Sequence, residues 1–217
     1  LRFLSIYLIE HLNKVLFLYF YFMGRIKCDW CLDDDLYENY HDKEWGVPVY
    51  DDKLLFEFLT LETFQSGLSW ITILRKRDHF KKAFDGFDYR KIAMYDSRKE
   101  NLLLSNPDII RNSQKIGSTI KNARAFMEIQ KIKGSFTNYI WEFVSGEPIV
   151  NQYKSLSEIP NQTNLSFNIC KDLKQSGFKF VGPTVVYSFM QAIGMVNDHL
   201  VDCFRYTEVL SKREIVI

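Results

Sequence analysis

The chain has 217 residues, 47% apolar and 25% charged, ordinary globular values that exclude a disordered or fibrous protein. That length supports one domain with a sizeable core, or one domain folded as two lobes. With 28 basic and 27 acidic side chains the net charge is +1, so bulk charge does not announce a nucleic-acid partner; aromatic residues reach 16%, against only four His and four Cys.

Leu1–Gly24 is rich in aromatic residues, yet its longest unbroken apolar run, Val15–Met23, has nine residues, where a membrane span takes about 20. No small-residue cleavage site follows, whereas Arg25 and Lys27 do. We expect residues 1–22 to be an extension outside the domain, Met23 to open a working unit of residues 23–207, and residues 208–217 to form a tail. Four Cys in no disulfide pattern, without an export signal, point to the cytoplasm and to no membrane partner.

The remainder reads as all-α. Asp51 and Asp52 are N-cap candidates for a helix over Lys53–Phe64, where Leu55, Phe58, Leu59 and Glu62 share one face. Ser69 is placed to cap a second helix reaching about Phe84. Ser97-x-x-Glu100 reads as a capping box. Helices are expected over Ile109–Ile132, stopped by Gly134, and over Phe136–Val144, closed by Gly146 and Pro148. Residues 147–166 form the loop-rich stretch and the candidate hinge. Leu165–Ser176 and Pro183–Ile193 then flank a turn between Gly177 and Gly182. Strand-like alternation is nowhere sustained.

Charge is segregated beneath the neutral total. Residues 29–52 carry nine acids and one Lys, net −8; residues 72–91 are net +4 and residues 111–133 net +5. Separate acidic and basic surfaces let a protein of neutral charge bind a polyanion on one side. Solvated helix faces explain either basic run taken alone.

Three constellations carry chemistry. Cys28, His41, His199 and Cys203 are a candidate zinc set: His199 and Cys203 are one helical turn apart, and two Cys with two His fill a tetrahedron, making the site structural. Cys28-x-x-Cys31 offers a rival pair, and buried Cys and hydrogen-bonded His explain the same residues without a metal. Glu62, expected to face inward beside Trp70, is a structural acceptor or a binding residue, since a buried carboxylate is costly without a partner. Near it in sequence lie Trp30, Tyr37, Tyr40 and Trp45. A carboxylate among aromatic faces suits an electron-poor or cationic base. The turn Gly177-Phe178-Lys179-Phe180-Val181-Gly182, between helices and beside Lys171 and Lys174, suits phosphate held by free helix amides, as in a helix-hairpin-helix.

The stretches Tyr40-His41-Asp42-x-Glu44-Trp45-Gly46-Val47-Pro48, Gly67-Leu68-Ser69-Trp70-Ile71-Thr72, Gly177–Gly182 and Asn197-Asp198-His199 together make the chain resemble the 3-methyladenine DNA glycosylase I family, within the helix-hairpin-helix glycosylase superfamily. The resemblance runs from about Cys28 to Cys203. It implies two helical lobes, the hairpin at about 165–193, and a structural zinc joining the terminal regions through Cys28, His41, His199 and Cys203, with Cys31 and Cys170 outside the set. It implies that Glu62 hydrogen-bonds the methylated adenine, that Trp70 and Tyr40 stack on it, and that Trp30, Tyr37 and Trp45 surround it. Leu68 becomes the candidate to enter the duplex, and Gly177, Lys179 and Gly182 the phosphate contacts. Phe64 stands where relatives are often more polar. The implied activity is hydrolysis of 3-methyladenine from alkylated double-stranded DNA by a monomer, leaving an abasic site, with Asp198 in a supporting role and no Lys nucleophile. A non-enzymatic helix-hairpin-helix module with a structural zinc is the alternative; a zinc hydrolase would need an open metal position.

Overall fold

A computed structural model describes residues 25–211. The expected extension at 1–22, the start at Met23 and residues 212–217 of the expected tail lie outside the described residues. Among those described, ten α-helices and two short strands occur. The helices are α1 Asp35–Lys43, α2 Asp52–Gln65, α3 Trp70–Ala83, α4 Tyr89–Ile92, α5 Ser97–Ser105, α6 Ser113–Lys133, α7 Phe136–Glu142, α8 Asn164–Gln175, α9 Pro183–Ala192 and α10 Phe204–Ser211. Strands β1 (Ile149–Val150) and β2 (Val196–Asn197) pair in parallel. No described helix is long and apolar enough to cross a membrane.

The centre of the fold is α2. Asp51 caps it, its Oδ1 accepting from the Leu54 amide at 2.8 Å. From Leu55 to Phe64 every residue is buried, because α3, α6, α7 and α9 pack around it. The expected inward stripe is therefore real but understated: Glu57, Thr60 and Thr63 are inside as well. Phe64 faces Phe80 and Phe84, at ring distances of 4.6 and 5.9 Å. Its bulk thus belongs to the α2–α3 interface.

Several boundaries differ from expectation for local reasons. Ser69 precedes α3 but caps nothing with its side chain, its hydroxyl being bonded to Thr72 instead. At α5 the cap is Asp96, which accepts from the Lys99 amide, so the Ser97 capping box does not form. Asn112 starts α6, later than Ile109, and Gly134 ends it at φ 81°. A capping box does form at α8, between Thr163 and Ser166. Helix α10 continues past residue 207 because Val209 remains in the core.

The basic runs are not simply solvated faces. Arg75 pairs with Asp34, and Arg77 bridges Glu44 and buried Glu57. Two acids of the acidic stretch, Asp34 and Glu44, are thus paired with bases of α3, while Glu38 and Asp42 pair with Lys27. Lys115 of α6 is buried, and Arg124 donates to the Ala93 carbonyl.

Candidate active site

A cavity of about 200 Å³ opens between α1, α2, the start of α3 and α9. Its walls include Trp30, Tyr37, Tyr40, Trp45, Glu62 and Trp70, so six residues selected from the sequence meet in one place. Gln65, Ile159, Ser188 and Gln191 complete the lining. Gln65 was legible as the next residue along the Glu62 face, and Ser188 and Gln191 as polar residues three apart in apolar α9. Ile159 gave no signal.

Glu62 is only 4% exposed, and its Oε2 has no hydrogen-bond partner. Burial pushes its carboxyl up to about 8, with no cation to oppose the shift. Trp70 Nε1 is likewise buried and unpartnered. Native proteins rarely leave such groups bare. Two of them on one aromatic cavity make it the candidate binding site.

The aromatic walls are braced edge to face. Trp30 lies 4.9 Å from Tyr37 and 5.0 Å from Trp45. Tyr40 and Trp70 meet at 5.4 Å and 54°. A base sandwiched between two rings needs about 7 Å, two stacking spacings of about 3.4 Å. As they stand these rings form a corner, so a base between them requires one to turn.

Behind that wall are the four candidate metal donors. Cys28, His41, His199 and Cys203 are all buried, with donor atoms within 4.8 Å of one another. Cys203 Sγ is 3.4 Å from His41 Nε2 and 3.7 Å from His199 Nδ1, while Cys28 Sγ is 3.8 Å from His199 Nδ1. Donors on a zinc tetrahedron lie about 3.3–3.8 Å apart; these three separations fall in that range, and the four residues form a group that could hold a metal ion. Each imidazole is turned toward the cluster by its other nitrogen: His41 Nδ1 pairs with Asp42 at 2.8 Å, and His199 Nε2 with the Trp45 carbonyl at 3.1 Å. Hydrogen bonds from the Cys28 thiol and both imidazoles favour the Cys203 thiolate. Cys31 donates instead to the Cys28 carbonyl and Cys170 to the Val181 carbonyl, leaving both outside the set.

The remaining selected residues lie apart from the cavity. Leu68 is exposed on the turn after α2, beside Gly67 at φ 81°. Residues 176–182 join α8 to α9, with Gly177 at φ 98°, Lys179 exposed, and Gly182 preceding an α9 N-terminus that no side chain caps. Asp198 is buried and accepts from Asn151, Tyr187 and Gln191, each at 2.7 Å. Its carboxylate is occupied in joining the β1 loop to α9.

A family model described as methyladenine glycosylase matches residues 30–206. The chain belongs to the methyladenine glycosylase family. It is 47% identical over 180 residues to DNA-3-methyladenine glycosylase 1 of Escherichia coli K12, covering 83% of this chain and 96% of that protein. A crystal structure of 3-methyladenine DNA glycosylase I superposes with a TM-score of 0.81 at 47% identity, covering 82% of this chain and 98% of the other. A variant of 3-methyladenine DNA glycosylase I in complex with 3-methyladenine gives 0.80 at 37% identity, covering 82% and 96%. The helical architecture described above is therefore that of the family.

Proposed function

We propose that this protein excises 3-methyladenine from alkylated double-stranded DNA by hydrolysis, leaving an abasic site. The observation that carries the reading is the buried, unpartnered carboxyl of Glu62 in an aromatic cavity. Membership of the methyladenine glycosylase family supports it.

Methylation at N3 makes adenine cationic. When the glycosidic bond breaks, its electron pair passes to the base and cancels that charge, while water adds its oxygen to C1′ of the sugar and releases a proton. The leaving group is already activated, so the protein's task is to extract the base and select it. Extrusion costs a few kcal/mol, less for a damaged base, and each aromatic stacking contact returns roughly 1–3 kcal/mol. In this reading Trp70 and Tyr40 stack on the base, one ring turning to admit it, and Trp30, Tyr37 and Trp45 shape the cavity around it. Glu62 accepts hydrogen bonds from the base, and the adjacent positive charge lowers the carboxyl's pKa so that its proton passes to solvent as the base enters, leaving an ion pair. A neutral purine offers no such exchange.

Leu68 enters the duplex where the base has left. The hairpin of α8 and α9, a helix-hairpin-helix spanning about 165–193, holds phosphate through Gly177, Lys179, Gly182 and the amides of Thr184 and Val185, Pro183 having no N–H. Zn²⁺ on Cys28, His41, His199 and Cys203 would supply a crosslink between the terminal regions of the 23–207 unit, with no position open to water. With no Lys in the cavity lining, the enzyme is monofunctional. It acts as a cytoplasmic monomer.

Incubation with methylated DNA, followed by identification of the released bases, tests the reading. Release of 3-methyladenine by the parent and its loss in Glu62→Gln are expected. A parent that binds duplex DNA without releasing any base is instead the non-enzymatic helix-hairpin-helix module.

A further inference from the structure

The two loops assigned above to DNA, 66–68 and 176–182, come from distant parts of the chain. Both are fastened to α6. Lys115, in the first turn of α6, is 5% exposed, and its ammonium donates to the carbonyls of Phe64 at 2.8 Å and Ser66 at 2.6 Å. Ser66 is the residue that ends α2, directly before Gly67 and Leu68. The same ammonium lies 5.7 Å from the ring centre of Phe180 in the hairpin, within cation–π range. Seven residues on, and so on the same face of α6, Asn122 grips Lys179 by both backbone groups. Its Oδ1 accepts from the Lys179 amide at 2.7 Å, and its Nδ2 donates to the Lys179 carbonyl at 3.1 Å.

A lysine is an expensive way to fill this space. Taking an ammonium out of water is unfavourable, and burial lowers the Lys115 pKa accordingly. An apolar side chain would occupy the same volume without that penalty. What only a cation with several donors provides is a hold on two carbonyls at a helix C-terminus, where partial negative charge collects. Neither Lys115 nor Asn122 lines the base cavity.

We infer that Lys115 and Asn122 form a brace that sets the Leu68 turn at a fixed spacing from the 176–182 hairpin, so that wedge and phosphate clamp engage one duplex together. Lys115 is a positioning residue: it acts through Leu68 on base extrusion and does not touch the base. The inference rests on the DNA roles proposed above for Leu68 and the hairpin.

The test compares the full-length parent with Lys115→Met, Lys115→Arg and Asn122→Ala. Three quantities are measured: base release from methylated duplex, affinity for a duplex carrying an abasic-site analogue, and affinity for free 3-methyladenine by tryptophan fluorescence. K115M should lose about 10- to 100-fold in kcat/KM on duplex, the scale of an ångström's misplacement, and should bind the abasic duplex more weakly. Its free-base affinity should stay within about twofold of the parent, since the cavity is untouched. K115R, which can still donate to both carbonyls, should recover most of the loss, and N122A should raise KM for duplex with little change in kcat. Parental release and duplex affinity in K115M overturn the brace. So does a parallel fall in free-base affinity, which would mean general loss of structure, or a K115R no better than K115M. Should K115M fail to fold, N122A carries the same test from the hairpin end. If the parent itself releases no base, the glycosylase reading fails, while duplex affinity still decides the brace.

Discussion

Replacing Glu62 by Gln should make the protein more stable, and increasingly so as pH rises. The carboxyl titrates at about 8 in the folded protein against 4.5 when unfolded. Between those values the folded state keeps a proton that the unfolded state has released. Stability attributable to Glu62 is therefore highest below pH 4.5, falls as pH rises, and is fully lost above about pH 8. At about 1.4 kcal/mol for each pH unit between 4.5 and about 8, the loss amounts to about 5 kcal/mol. Gln has the shape of the neutral acid and does not titrate. Urea unfolding of parent and E62Q at pH 4.5, 7 and 9, without ligand, should show a difference that widens across the series toward about 5 kcal/mol. Tyr37 and Tyr40, which burial and then the Glu62 charge raise above 10, stay protonated across this series, and groups not coupled to Glu62 cancel in the difference. A gap independent of pH would refute the reasoning, because it would mean that Glu62 is ionised and satisfied in the empty cavity. Activity should move the opposite way, with 3-methyladenine release lost in the more stable variant, as expected where a binding group is held in a costly state.

Cys203→Ser should lose bound zinc and thermal stability before it loses base-release chemistry; full zinc content in the purified variant would remove Cys203 from the ligand set. Asp198→Asn should retain base release but destabilise the fold by about 1–3 kcal/mol for each donor that meets the new amide nitrogen, Asn151 alone or Tyr187 and Gln191 together, since Asn keeps one of the two acceptor oxygens. Abolished release at parental stability would give Asp198 a catalytic role instead. Gly194→Ala should prevent folding, because the added Cβ meets Val47 C at 2.4 Å and Pro48 N at 2.5 Å with φ at +66°; a parental melting temperature by circular dichroism would contradict this.

What the sequence disclosed follows the range of the interactions involved. The Asp51 cap and the inward Glu62 are decided within one or two helical turns, and they were readable. The start of α5 turned on adjacent Asp96 and Ser97, both good caps, and only the folded backbone chooses between them. Ile109 and Ile110 are apolar enough to extend α6, yet they belong to the loop before Asn112. Residue type and spacing single out all four candidate donors, but the helix expected to align His199 with Cys203 is absent: both lie in the loop before α10, which starts at Phe204, and that loop brings their side chains to 3.7 Å. Most hidden were the exchanges between distant charges: nothing local tells that Arg75 answers Asp34, or that Lys115 is buried beneath the end of α2.

The candidate metal cluster backs the cavity wall directly: the Trp45 ring lies 4.6 Å from His199, and the Trp30 ring 5.4 Å from His41. Its donors come from opposite ends of the unit, with Cys28 and His199 separated by 171 positions. Chains emerge from the ribosome N-terminus first. The cavity wall formed by Trp30 and Trp45 therefore lacks this backing until almost the whole unit has been synthesised. A product cut short before Cys203 carries Glu62 and every selected aromatic, yet lacks the complete set of donors behind Trp30 and Trp45.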